Sequence, residues 1–493
     1  IEKRRRRAHA VLVVYMMIHV IVPSTQTLVE RNDGVSKYTA YNIHINGWFH
    51  ASVRYSALLR FAESIKLRFG HLHSLPDFPP KKLFGILQGA ALDERRAGIA
   101  KYLQALVQKS EIVHNSPVER NILEFQLDSY RPSSSSVSIE VFLGDGSKVP
   151  LRCNVMLPTR DIMKLLADEL NADFDLLYEY FGLFMVKPRH ENRNDFDMIP
   201  VRLLCNFESP YVSLQLANQR SAAEKGFFYK LQLRRCVWDT RTQEKLLANN
   251  SIATLLFRQA KNELERGLLT TDSADVQLSL ESLTMEEDAA KYVRLCSELP
   301  GYGFEHLGEF ECVLNDKEEA SHDDQTVACR LQVGRRQLVL TSLKDGQSHS
   351  YRATRIRIWR ISQPPSVVDP LIFQFEFLAA KDAFRWITIH TEHAILLSLL
   401  LQSIGSEILS EHRESAKEAI RGSAVTEASS RSRENGSGFV RRLADREMIG
   451  VEVRAVSPDP DVLKSLQHVF ASSSGSLGTH NSTFGMTITD DDL

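Results

Sequence analysis

Tyr41-Asn-Ile-His-Ile-Asn-Gly-Trp-Phe-His-Ala-Ser-Val-Arg-Tyr-Ser56 decides how the first third of this chain folds. Residues 41–45 alternate apolar and polar side chains, Asn46-Gly47 is the two-residue turn that hairpins favour, and a second strand follows over 49–55. Ser56 is expected to cap a helix whose apolar face is Leu58, Phe61, Ala62, Ile65 and Phe69, with Gly70 as its stop. Leu75-Pro-Asp-Phe-Pro-Pro-Lys-Lys82 is then a stiff proline loop. A second helix beyond it carries Ile99, Tyr102, Leu103 and Leu106 on one side, and the unit should close near Tyr130.

Outward from that unit the chain divides again. Arg131-Pro132 and four serines form a linker. Strands over 137–143 and 148–155, joined at Gly144-Asp-Gly146, precede a helix capped by Thr159 with Ile162, Leu165, Leu166 and Leu170 inside, the ββα order of a ubiquitin-like unit. Residues 222–300 read as mainly helical, with Ile252, Leu255, Leu256, Ala260 and Leu264 as the clearest stripe. From Gly301 the pattern returns to strands over 310–314, 327–333, 337–341, 350–361, 372–378 and 384–390, closed by one apolar helix over 392–409. After Ser410 large apolar residues become too few to offset the entropy of ordering, so a disordered tail is expected. It ends in Thr489-Asp-Asp-Asp-Leu493.

Bulk properties exclude several functions. The 493 residues imply three or four units. With 43% hydrophobic residues, 25% charged ones and a formal net charge of -2, the chain has no global attraction to nucleic acid or to a membrane. The six cysteines, with no CxxC pair, read as buried thiols rather than a zinc site or a disulfide framework. There is no GxSxG, P-loop, HExxH or dinucleotide-binding glycine turn, so no enzyme is expected, and the sixteen histidines are scattered. The chain begins with Ile1, and Lys3–Arg7 precede an apolar run over 8–22 that is too short to span a bilayer comfortably. Residues 1–22 are expected to be an upstream extension, with Met17 nearer the natural start.

Two clusters can carry binding chemistry. Arg54-Tyr55-Ser56 stands where a strand meets a helix: an arginine there can grip a phosphate, and a tyrosine ring can pack on a sugar face. Lys81 and Lys82 on the proline loop, and Arg95 on the second helix, add positive charge. In the late strand region Arg355-Ile-Arg-Ile-Trp-Arg-Ile361 is expected to place Arg355, Arg357 and Trp359 on one face and Ile356 and Ile358 on the other. Beside that strand the last helix keeps Leu401, Gly405 and Leu409 after one face has packed. An edge strand next to an apolar helix forms a groove able to take an extended peptide. Asp490, Asp491, Asp492 and Leu493 read either as a solvated acidic end or as a motif captured by its free carboxylate.

Arg54-Tyr-Ser56, Phe78-Pro-Pro-Lys-Lys82 and Glu94-Arg-Arg-x-x-Ile-x-x-Tyr-Leu103 resemble the three signature places of the phox-homology (PX) domain. The ubiquitin-like, helical and strand-rich units resemble the three lobes of an atypical FERM module. Together with Ala353-Thr-Arg-x-Arg-x-Trp-Arg360 and Trp386-x-Thr-Ile389 they resemble the PX-FERM sorting nexins, nearest the sorting nexin 17 branch and next the sorting nexin 31 branch. This α+β resemblance implies an extension over 1–22, a PX domain over 23–130, FERM F1, F2 and PTB-like F3 lobes over 137–215, 222–300 and 301–410, and a tail over 411–493.

For function, the resemblance implies a monomeric adaptor without cofactor on the cytoplasmic face of early endosomes. Phosphatidylinositol 3-phosphate would meet Arg54, Tyr55, Ser56, Lys81 or Lys82, and Arg95. NPxY or NxxY motifs in receptor tails would meet Arg357, Trp359, Leu401, Gly405 and Leu409, with Gly405 standing where the family has a larger apolar residue. The Retriever complex would take Asp490 to Leu493. The competing expectation is a FERM scaffold between membrane and cytoskeleton.

Overall fold

The computed structural model describes residues 18–29, 36–72, 74–81, 88–189, 197–224, 227–236, 240–314, 326–362, 371–380, 383–405, 407–408, 411 and 482–484. The first unit is an antiparallel sheet of β1 (Val20–Val29), β2 (Lys37–Ile45) and β3 (Trp48–Arg54), followed by α1 (Tyr55–Phe69), α2 (Ala90–Val107), α3 (Ser110–Val113) and α4 (Ser116–Tyr130). The turn between β2 and β3 is at Asn46-Gly47, both with positive φ, as the sequence requires. The apolar stripe of α1 is buried as expected. Its cap is not: the helix begins one residue earlier, at Tyr55, with Arg54 as N-cap and no side-chain cap bond, because the chain passes directly from strand into helix. Nor does the unit begin at Pro23, since Ile18, Val20 and Val22 belong to its core.

Two further units share one continuous core. β4 (Ser136–Phe142), β5 (Lys148–Asn154), α5 (Thr159–Glu169), α6 (Phe174–Tyr180), β6 (Phe181–Pro188), β7 (Met198–Leu203), α7 (Pro210–Glu224) and β8 (Lys230–Arg235) give a sheet in the order β5-β4-β8-β6-β7, with β4 and β8 parallel. The expected boundary between ubiquitin-like and helical units therefore moves: β8 lies within the stretch read as helical. Its Leu231 and Leu233 alternate with Gln232 and Arg234, and all four are buried because both faces of this central strand are covered. α5 starts at Thr159 with Pro158 as N-cap, and the Thr159 hydroxyl instead donates to Glu208 O at 3.0 Å. The helical lobe is α8 (Thr240–Leu247), α9 (Asn250–Glu265), α10 (Ala274–Met285) and α11 (Ala289–Glu298). A Cβ at Gly144 would come 2.6 Å from the backbone of Gln259, so that turn can press on α9 only as glycine.

The last unit is one antiparallel sheet of β9 (Phe304–Leu314), β10 (Val327–Gly334), β11 (Gln337–Ser342), β12 (Ser348–Arg352), β13 (Ile356–Ser362), β14 (Ile372–Ala380) and β15 (Ala383–His390), in the order β12-β11-β10-β9-β15-β14-β13. Helix α12 over 394–405 packs into the core of this sheet. The stretch read as one strand over 350–361 is two, broken by a 3-10 turn at Ala353–Arg355. Within the expected tail, Ser482–Phe484 forms β16, which adds to the free edge of β13.

The units are locked together. Gln126 on α4 donates to Ser213 Oγ and accepts from Ser209 N, both at 2.8 Å, and Asn46 donates to Cys205 Sγ at 3.6 Å. Arg202 and Glu208 form a buried pair whose carboxylate also accepts from Cys205 N and Ser213 Oγ. Such added bonds are what a buried ion pair needs if it is not to cost more than it returns. Arg234 meets Glu305 at 2.6 Å, joining the ubiquitin-like sheet to the sheet of the last unit.

Candidate functional site

In the first unit the proline loop sits against α2. A Cβ at Gly98 would lie 2.6 Å from Pro79 Cγ, so glycine on this turn of α2 permits the approach. Two bonds then fix the loop: Tyr55 Oη donates to Pro79 O at 2.7 Å, and Arg95 Nη2 donates to Pro80 O at 3.2 Å. Phe78 packs between Tyr55 and Tyr102, at centroid distances of 5.9 and 5.2 Å.

The Arg95 guanidinium lies 4.5 Å from the Tyr55 ring centre. Burial raises the pKa of Tyr41 and of Tyr55, and Arg95 beside them partly offsets the rise. Tyr55, the Pro79-Pro80 loop leading to exposed Lys81, and Arg95 are thus brought together. Ser56 is exposed in the first turn of α1. Arg54 has another partner: its guanidinium stacks on the Tyr38 ring at 4.8 Å, and it lines a cleft of about 830 Å³ between α1 and α4. Lys82 lies outside the described residues.

Neighbouring arginines have different work. Arg96, 6% exposed, donates to Val22 O and Pro23 O at 2.9 Å each and ties α2 to β1. Sequence reasoning gave Arg95 and Arg96 the same helical motif, and only the turn of the helix separates their roles.

The second site is the edge of β13. Its pairing with β14 shifts between Ile356 and Ile358, a bulge at Arg357. A bulge reverses the alternation on one side of it, so Trp359 does not share a face with the exposed Arg357. It lies inward with Ile356 and Ile361, 4% exposed, and its indole Nε1 donates to Ser398 Oγ on α12 at 2.9 Å. Trp359 therefore forms part of the wall between strand and helix. Leu401 and Gly405 are buried on α12 with Ile404; Leu409 lies outside the described residues. Arg357 pairs with Glu376 and covers the Phe384 ring at 4.6 Å.

Against this edge runs β16, antiparallel, with Ile361 opposite Ser482, Arg360 opposite Thr483 and Trp359 opposite Phe484. The sequence there reads Asn481-Ser-Thr-Phe484, an Asn-x-x-aromatic signal within the stretch expected to be a disordered tail. Asp490, Asp491, Asp492 and Leu493 lie outside the described residues. Among the described residues no group of three or more His, Cys, Asp or Glu could hold a metal, and no helix is long and apolar enough to cross a membrane.

Residues 41–126 match the family model of the PX domain, 137–238 that of the F1 lobe of the FERM domain of sorting nexins 17, 27 and 31, and 313–409 that of the sorting nexin 17 FERM C-terminal domain. The chain is similar to human sorting nexin-17, 32% identical over 409 residues that cover 80% of this chain and 82% of that protein. To mouse sorting nexin-31 it is 24% identical over 417 residues, 82% of this chain and 89% of that one. The FERM and C-terminal domain complex of Drosophila Merlin is a distant likeness, with a TM-score of 0.37 at 13% identity, covering 57% of this chain and 99% of that one.

Proposed function

The chain belongs to the sorting nexin-17 family, and from that membership we propose that it is a non-enzymatic endosomal adaptor which joins a phosphoinositide membrane to receptor tails. Its lipid is phosphatidylinositol 3-phosphate, held by Arg54, Tyr55, Ser56, Lys81 or Lys82, and Arg95. Its cargo is an NPxY or NxxY segment added as a strand to β13, with Trp359, Leu401, Gly405 and Leu409 forming the groove. Its export partner is the Retriever complex, which captures Asp490 to Leu493.

The observation that supports this reading most is the pairing of β16 with β13. An edge that takes an extended segment next to an Asn-x-x-aromatic signal has the backbone groups and the register for peptide addition, in which main-chain bonds give affinity and side-chain pockets give specificity. Because the segment belongs to the chain itself, cargo has to displace it. Weak lipid and cargo contacts then reinforce one another on one membrane through effective concentration.

Calorimetry with a receptor-tail peptide carrying Asn-Pro-x-Tyr tests the cargo step: replacing its Asn and Tyr by Ala should abolish binding, and equal binding of the replaced peptide would sink the reading. The Retriever step is checked by a pull-down in which one residue added after Leu493 should prevent capture.

A further inference from the structure

We infer that the β13 edge also selects by charge, and that it prefers peptides with acidic residues just C-terminal to the aromatic of the Asn-x-x-aromatic motif. The inference rests on the proposed cargo groove and adds a charge pattern to its motif.

The register sets the direction. With Ile361, Arg360 and Trp359 opposite Ser482, Thr483 and Phe484, a strand bound in this way runs, after its aromatic, past Ile358 and Arg357 toward Arg355. Side chains alternate across the sheet. The aromatic position is opposite inward-facing Trp359, so the residue before it, opposite Arg360, and the residue after it, opposite Ile358, project from the other face.

Both faces are cationic at this end. On the outer one Arg357 is half exposed and reaches over Phe384, and Arg360 covers Trp386 at 4.5 Å. The second residue after the aromatic returns to the face of Trp359, where Arg355 lies over Phe377 at 5.6 Å and exposed Arg385 stands opposite Phe377 in the β14–β15 ladder. Among the described residues of β12 to β15, Glu376 is the single carboxylate beside five arginines, the fifth being Arg352. Glu376 is itself buried and engaged by Arg357. A guanidinium stacked on a ring still offers its N–H edge to a carboxylate. The chain's own continuation has the matching sign farther on, with Asp490, Asp491 and Asp492 six to eight residues after Phe484 and no basic residue as far as Leu493. Charges on a rim tune encounter and selectivity more than total affinity, and their effect is screened by salt.

Two peptides with one Asn-Pro-Thr-Tyr core, followed by Glu-Asp-Glu or by Gln-Asn-Gln, are titrated by fluorescence anisotropy into the full chain. The acidic peptide should bind about five- to tenfold more tightly at low salt, as two or three exposed ion pairs allow, and the ratio should fall toward one at about 0.5 M salt. The double variant Arg355→Glu, Arg385→Glu should reverse the ratio while keeping the melting temperature of the parent; the milder Arg355→Gln should reduce it. Equal binding of both peptides at low salt overturns the charge inference and leaves the groove standing, as does a ratio unchanged in the double variant. If neither peptide binds, the groove reading falls and the charge inference with it.

Discussion

Trp359 of β13 and Phe484 of the tail stand opposite one another in an antiparallel ladder, so the tail occupies the edge where a cargo strand would add. A tethered competitor acts at an effective concentration set by its linker, up to the millimolar range for short flexible ones. Phe484→Ala, or removal of residues 480–493, is expected to raise the affinity for an Asn-Pro-x-Tyr peptide by about three- to tenfold, a change of about 1 kcal/mol. Anisotropy titration reads it directly. An affinity unmoved by both changes would mean that the tail strand does not compete.

Arg95 and Arg96 are adjacent, and their substitutions should fail in different ways. Arg95 is held over Tyr55 beside the loop that leads to Lys81. Arg95→Ala, like Arg54→Ala, should lower binding to liposomes containing phosphatidylinositol 3-phosphate at least tenfold, with about 1.4 kcal/mol or more lost, and leave the melting temperature near that of the parent. Arg96→Ala removes two charge-assisted bonds to β1 and should cost about 2–4 kcal/mol of stability. Sedimentation with liposomes and thermal melts together would expose an error if Arg95→Ala bound lipid normally or Arg96→Ala were as stable as the parent.

Much of this assembly is legible in the sequence because it is local. The Asn46-Gly47 turn, the stripe of α1 and the proline loop each follow from a few neighbouring residues, and the resemblance to known families then supplies the lobes. What could not be read is set by contacts distant in the chain. β8 looks like part of a helical stretch until it is seen paired to β4 and β6. The bulge at Arg357 turns Trp359 inward, and alternation alone places it outward. Asn481-Ser-Thr-Phe484 carries an Asn-x-x-aromatic pattern, but nothing local says which edge it would find.

Gly98 sets the height of the Pro79-Pro80 loop. Because an added Cβ would fall 2.6 Å from Pro79 Cγ, Gly98→Ala should push the Pro79-Pro80 segment off α2 and lengthen the bonds from Tyr55 and Arg95 that hold it. Alanine favours the helix by about 1 kcal/mol over glycine, so the loss should appear in lipid affinity, by about three- to tenfold, more than in melting temperature. Liposome binding equal to the parent would show that the loop yields without displacing its lysine.

Two buried histidines make the fold acid-sensitive. His50, whose Nε2 lies 2.9 Å from Ile122 O, has its pKa lowered to about 4 by burial, which that bond only partly opposes. His306 is lowered to about 3, by burial first and then by Arg189, Arg266, Arg234 and Arg330. Both folded values lie below the unfolded value of about 6.5, so as pH falls the unfolded chain takes up protons first. Stability is complete above about pH 6.5 and declines below it, by at most about 1.4 kcal/mol per pH unit for each histidine, until the folded groups titrate. Between about pH 6.5 and 5, above the range where most carboxylates protonate, the melting temperature should fall, and His50→Gln should fall less steeply than the parent. A parent melting temperature that is flat over this window would mean that neither ring is held neutral.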